Sequence, residues 1–352
     1  MAHGLHATLH WVTLGLMMKY NFEWLRFRRN RVMVQGAIAV LSLSAVSAVS
    51  AQELDEVTVG MSWYAQAEHG GFYQAKAEGI YENHGLDVTI RDGGPNVNGM
   101  QLLMGGATDF QTGYSLNTLN AVKQGIPLVT IAAIMQKDPQ TLVAHKGVGH
   151  DSLEKLKGEP IKIPTAGRVA YWPWLKAKYD YSDSQLRPYD YNFGPFVADE
   201  QAIQQGYITN DGYFLAQAGA EAQSILLADN GWSPYAYTID TTQQTIDAQP
   251  ELVQRFVDAT VEGYRRYFEN PAPGNALIQE RNADQADALL VYSLDKMKQY
   301  GIVKSGDAEQ YGIGAMSDAR WQTFFQQMVD AKVLPADLDY EKGYALEFID
   351  HP

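Results

Sequence analysis

From Glu56 onward the chain repeats one pattern. A short run rich in β-branched residues leads into a turn bearing glycine, then into a stretch with apolar residues at helical spacing. "EVTVGMS", starting at Glu56, reads as a strand. "GFYQAKAEGIYENHG" sets Phe72, Ala75 and Ile80 near helical spacing and stops at Gly85, a C-cap. "LDVTIRD" alternates Leu86, Val88 and Ile90, as a half-buried strand does. "MQLLMGG" reads as a short helix, "TDFQTGYS" as a brief strand and loop, and "LNTLNAVKQG" as a helix. "PLVTIAAIMQ" is almost wholly apolar, the mark of a strand buried on both faces beneath helices.

The same grammar then restarts. "TLVAHK" is a strand and "DSLEKLKG" a helix with Asp151 and Glu154 at capping-box spacing. "PIKIPTAG" follows as strand and loop, then the helix "RVAYWPWLKAKY", which Pro173 enters near its first turn. "VADEQAIQQGY" is expected to be helical, "ITND" a short strand running into a loop, and "SILLADNG" a strand. After Tyr237 the pattern is mainly helical: "PELVQRFVDATVEGYRRYF" carries Leu252, Val253, Phe256, Val257 and Thr260 on one face, and helices continue to about Lys332. The expected fold is α/β, with a second module inserted into the first. Residues 52–140 and 236–352 would form one lobe and 141–235 the other. The chain would cross between them near Gln140 and near Trp232–Pro234, making a hinge beside a ligand cleft.

The first residues change the picture of where the protein works. Arg26, Arg28, Arg29 and Arg31 precede an apolar run from Val32 to Val46, and Val49 and Ala51 follow as small residues. These are the three parts of a secretory signal peptide, with cleavage expected after Ala51. The run is shorter than the roughly 20 residues of a membrane-spanning helix. The chain carries a formal net charge of −14. The leader is itself positive, so the remainder is more acidic still, which argues against nucleic acid or an anionic membrane surface as partner. Cysteine is absent, so there is no disulfide and no lipid-bearing thiol after the leader. An unanchored periplasmic protein is the expectation.

Ligands of open α/β sheets sit beyond the carboxyl ends of strands. That rule selects Trp63, Tyr64, Glu68 and His69 in the first turn; Gln111, Tyr114 and Ser115 after "TDF"; and Gln136 at the end of the long strand. In the second module it selects Thr165, Arg168, Tyr171 and Trp172, with Asn210 and Asp211. The glycines Gly70 and Gly71 would let a helix begin close to the ligand. Aromatics are dense between Arg168 and Phe214, against 11% for the whole chain. A flat aromatic wall edged by polar groups suits a flat ligand, and carboxylates there accept from ring N–H or amine donors. Tyr179, Tyr181, Tyr189 and Tyr191 read as packing residues. Enzyme patterns fail: "GYSLN" lacks the second glycine of a nucleophile elbow, and "GGPNVNGMQ" lacks the Lys-Ser/Thr ending of a phosphate loop. The histidines show no metal-binding spacing. No catalytic residue, metal or cofactor is expected.

A strand ending in tryptophan, then "HGGFYQAKAEGIYENHGLDVTI", "QQGYITND" and "PELVQRFVDATVEGY", resemble the periplasmic solute-binding proteins of ABC importers, in particular the thiamine-precursor-binding branch. The wider family includes binders of nitrate, sulfonates and taurine. The resemblance spans roughly residues 55–300. It implies a two-lobed, type II Venus flytrap fold, a monomer that traps a small molecule and hands it to an inner-membrane permease. It implies ligand loops at Trp63–His69, Gln111–Ser115, Gln136, Thr165–Trp172 and Asn210–Asp211. Relatives commonly place glutamate and proline where this chain has Asp211 and Gly212, so the ligand does not carry over directly. Related fungal pyrimidine synthases rely on a cysteine-rich motif that this chain lacks. The leading expectation is a binder of a pyrimidine-like heterocycle, with Trp63 and Tyr171 or Trp172 stacking. The alternatives are a small anion held by Arg168, and an exported enzyme acting on a heterocycle.

Overall fold

The computed structural model describes residues 53–349; the expected leader and its cleavage site lie outside them. The chain begins with β1 (Asp55–Gly60), α1 (Gly70–Ala77), α2 (Ile80–Asn83), β2 (Leu86–Arg91), α3 (Gly99–Met104), β3 (Phe110–Tyr114), α4 (Ser115–Lys123) and β4 (Leu128–Met135). It continues through β5 (Gln140–His145), β6 (Ile161–Lys162), α5 (Thr165–Val169), α6 (Tyr171–Tyr179), β7 (Leu186–Arg187), α7 (Gly194–Val197), β8 (Ile203–Tyr207), α8 (Asp211–Gln217) and β9 (Ala222–Leu226). Last come β10 (Ala236–Thr242), α9 (Gln243–Ala248), α10 (Pro250–Glu269), α11 (Ala272–Arg281), α12 (Asp287–Gln299), α13 (Gly306–Tyr311) and α14 (Asp318–Asp330).

Two five-stranded sheets result, ordered β2-β1-β3-β10-β4 and β7-β6-β8-β5-β9. β1 runs parallel to β2 and β3, whereas β10 returns antiparallel between β3 and β4. The chain therefore leaves the first sheet after Met135 and comes back to it at Ala236. All eight residues of β4 are buried, as its apolar run requires, and β2 alternates buried and exposed.

Three segments differ from the sequence expectation, and one of them, residues 208–211, expected as a short strand, is a turn that leads into α8. Ile203–Tyr207, expected helical, is β8 in the middle of the second sheet. Gln204 and Gln205 are buried there, so the glutamines that read as the polar face of a helix lie inside the sheet. β10 falls where the pattern after Tyr237 was expected to be mainly helical; six of its seven residues are buried, so it has no exposed face to give alternation.

α10 is the amphipathic helix that covers the first sheet, burying Val253, Phe256, Val257, Thr260, Tyr264 and Tyr267. Its partner is α1. A Cβ on Gly71 would fall 2.1 Å from the Tyr264 ring, and one on Gly70 would fall 2.2 Å from Tyr267. The glycine pair thus serves helix–helix contact with α10 and not an approach to ligand. In the second lobe, Trp174, Trp232 and Leu142 cluster with Trp321, Phe324 and Met328 of α14.

α14 also fastens the two crossings. The Arg320 guanidinium donates to the backbone oxygen of Gln136 in the first crossing, and to Ser233 O (3.4 Å) and Pro234 O (3.2 Å) in the second. It also reaches Gln136 Oε1 at 3.1 Å, and its carbon lies 4.3 Å from the Tyr235 ring centroid. Replacing Arg320 with alanine leaves several carbonyls without a donor. It is expected to cost about 1.5–3 kcal/mol, the range for hydrogen bonds to a charged group. Urea denaturation of wild type and Arg320→Ala checks this; an unchanged midpoint would contradict the role.

Candidate functional site

A cavity of about 980 Å³ lies between the sheets and is walled by both lobes and both crossings. The first lobe supplies Trp63 from the turn after β1, the Gly94–Gly99 segment, and Gln111 and Tyr114 of β3. The second supplies Thr165, Tyr189, Tyr191, Tyr207, Asn210 and Asp211. The crossings add Asp138, Gln140, Trp232 and Pro234. The walls touch across the opening: Tyr114 and Tyr207 hydroxyls are 2.8 Å apart, and the Trp63 and Tyr191 ring centroids 6.0 Å. Behind them the Thr209 hydroxyl donates to Glu68, and Ser293 of α12 donates to Thr209 O at 2.7 Å.

Two tyrosines owe their place to irregular backbone. Tyr237 has φ of 46° where β10 slips register between Ala236 and Thr238, and Tyr191 has φ of 64°. A bulge re-aims a side chain that regular pleating would send elsewhere. Positive φ is costly for a bulky residue and collects at functional sites. Tyr237 Oη accepts from Gln66 at 2.9 Å, which fixes its ring in the wall.

Three carboxyl groups line the cavity, and none of the residues lining it is a lysine, arginine or histidine. Asp138 accepts from Trp232 Nε1 at 2.8 Å and from Gln140 N at 3.2 Å, tying the two crossings; burial pushes its pKa up to about 6. Asp211 Oδ2 accepts from Tyr207 N at 2.8 Å, and burial, with the Glu68 charge adding, pushes it up to about 7. Asp240 of β10 accepts from Thr130 Oγ1 at 2.7 Å and is also pushed up to about 7 by burial.

Of the residues selected from sequence, Trp63, Gln111, Tyr114, Thr165, Asn210 and Asp211 lie together in the lining. The others do not line it. Ser115 is fully buried and accepts from Tyr235 N at 3.1 Å, so its hydroxyl holds the start of α4 to the second crossing. Gln136 is buried under Arg320 and donates to Ala315 O at 2.8 Å. Trp172 points away and donates to Asp183 at 2.8 Å. Tyr171 is buried edge-on to Trp232. Arg168 sits in the last turn of α5, with Nε on Ile163 O at 3.1 Å, and is not among the lining residues. Glu68 and His69 lie beneath the wall, fully buried; His69 packs on Tyr237, and desolvation lowers its pKa to about 4. Tyr64 is 49% exposed and abuts Trp63 from outside the lining. Tyr189 and Tyr191, read as packing residues, are wall residues instead.

The family model described as NMT1/THI5 like matches residues 66–273. The chain belongs to that family. It is 25% identical over 347 residues to the riboflavin-binding protein RibY of Chloroflexus aurantiacus, covering 91% of this chain and 97% of that one. It is 24% identical over 297 residues to the formylaminopyrimidine-binding protein of Halalkalibacterium halodurans, covering 81% and 89%. Both relatives are binding proteins. Among solved structures, the periplasmic aliphatic sulphonate binding protein SsuA of Escherichia coli superposes with a TM-score of 0.61 at 12% identity, over 85% of this chain and 92% of that one. The fold is thus the type II periplasmic-binding-protein fold, a Venus flytrap with its cleft between two lobes. No helix among the described residues is long and apolar enough to cross a membrane.

The acids make a testable signature. An unfolded carboxyl loses its proton near pH 4, whereas folded Asp211 and Asp240 hold theirs to about 7. The folded state binds the extra protons in that window, so both groups make stability fall as pH rises through it. His69 acts oppositely between about 4 and 6.5, since its folded pKa is lowered. Comparing variants cancels the histidine. From near pH 5 to near pH 8, Asp211→Asn and Asp240→Asn should each lose less stability than wild type in urea denaturation. Equal losses would mean that these carboxyls titrate as exposed ones do.

Proposed function

We propose that this protein is the solute-binding component of an ABC importer, capturing an uncharged, flat nitrogen heterocycle in the periplasm and presenting it as a monomer to an inner-membrane permease. The observation that carries the reading is the cavity's chemistry: aromatic walls, three carboxyl groups and no lining cation. Ring N–H and exocyclic amine groups donate to Asp138 and Asp211, and ring carbonyls accept from Gln140, Gln205 and Asn210. Trp63 and the wall tyrosines give the ring its stacking surface. An anion would leave water for a site with no counter-charge, a loss of several kcal/mol. The volume sits near the top of the roughly 300–1,000 Å³ range of small-molecule pockets. That favours a fused or substituted ring over a bare pyrimidine. The ligands named for the two relatives, riboflavin and a formylaminopyrimidine, are both of this chemical kind. In this reading residues 141–235 close on the remainder about the crossings near Gln140 and Trp232–Pro234.

Isothermal titration with riboflavin, lumiflavin, aminopyrimidines and taurine tests the proposal. A heterocycle is expected to bind and taurine to give no heat. Trp63→Ala should weaken the heterocycle about tenfold, since stacking adds roughly 0.5–1.5 kcal/mol beyond burial. Arg168→Ala should leave it unchanged. Taurine binding without any heterocycle would overturn the reading, and turnover of a bound heterocycle would make the protein an enzyme instead.

A further inference from the structure

The cavity does not end at the face between the lobes. Its lining continues under the first lobe, between the sheet and helices α3 and α4, to Met100, Leu103, Asn117, Asn120 and Asp240. Asp240 belongs to the sheet interior, paired with Gln111 on one side and Thr130 on the other. Thr130 donates to Asp240 Oδ1 and lies 2.8 Å from Thr118 of α4, which fixes the carboxyl on the helix-covered face. Oδ2 lies over Gly113, the glycine of β3; a Cβ there would come within 2.3 Å of it. Gln111, next to Asp240 across the strands and 6% exposed, leaves its Oε1 without a partner. A buried acceptor of that kind costs stability until something donates to it.

We propose that this chamber is a subsite for a hydroxylated chain, a polyol or sugar-like substituent borne by the heterocycle. The inference rests on the heterocycle reading of the cleft and narrows it to one substrate class. Hydroxyls fit because each both donates and accepts. Asp240 accepts hydrogen bonds from them, and the amides of Asn117 and Asn120 donate to their oxygens. An ammonium only donates and would leave those amides unused. A purely apolar chain would strip water from the carboxyl without replacing it. A phosphate would meet Asp240 with no cation beside it. Met100 and Leu103 cover the carbon faces of the chain.

The test compares matched rings with and without the chain, riboflavin against lumiflavin and cytidine against cytosine, by isothermal titration of the purified protein. The member bearing the chain should bind at least about tenfold more tightly, a difference of 1.4 kcal/mol. Asp240→Asn keeps the shape of the side chain but turns an acceptor into a donor, and Gly113→Ala fills the space over the carboxyl. Both should shrink the advantage of the chain, the member that bears it losing more affinity than its bare ring. Equal affinity of paired compounds, or variants that weaken both members alike, would overturn the subsite and leave the heterocycle reading standing. Silence from all four compounds would overturn both. If Gly113→Ala does not fold, as judged by circular dichroism, Asp240→Asn decides alone.

Discussion

The structure turns on two chain crossings held side by side. Arg320 reaches the backbone oxygens of Gln136, Ser233 and Pro234 together, so one side chain of α14 fastens both strands of the hinge. On the cleft side, Asp138 of the first crossing accepts from Trp232 of the second. A guanidinium suits this task because its fork presents several donors in fixed directions and stays charged when desolvated. The two crossings are thus tied to one another at both faces, beside the aromatic walls of the cleft.

The cleft's electrostatics follow from burial as much as from composition. An acidic chain could scatter its carboxylates over its surface, but three are enclosed here beside aromatic rings. Burial raises the pKa values of all three above the usual carboxylate range. In the proposed reading such a wall suits a ligand whose edge mixes N–H and carbonyl groups. No lysine, arginine or histidine lines it, although the fold neighbour SsuA, named for binding aliphatic sulphonates, shares the architecture. Fold and ligand chemistry therefore separate, as grafted sites on a shared scaffold do.

Much of this was legible along the chain. Hydrophobic periodicity located β1 to β5, the restart after Gln140 and the amphipathic face of α10, because each depends on neighbours a few residues away. The rule that ligands gather beyond strand ends selected loops whose Trp63, Tyr114, Asn210 and Asp211 line the cleft. Within those loops Ser115, Gln136, Trp172 and Arg168 do not line the cleft. Their bonds to Tyr235, Ala315, Asp183 and Ile163 point inward or away, and a loop sequence does not say which way it will face.

What the sequence alone determined is the α/β class, the two-lobed organisation and the aromatic, acidic character of the cleft loops, since composition and period are local properties. Tertiary structure alone decided the rest. It drew β10 into the sheet of strands more than a hundred residues earlier, and with it came Asp240 and the bulged Tyr237. It turned a buried glutamine pair into a central strand and set the glycine pair against α10 instead of the ligand. Those outcomes depend on partners far apart in the chain, and only packing brings such partners together.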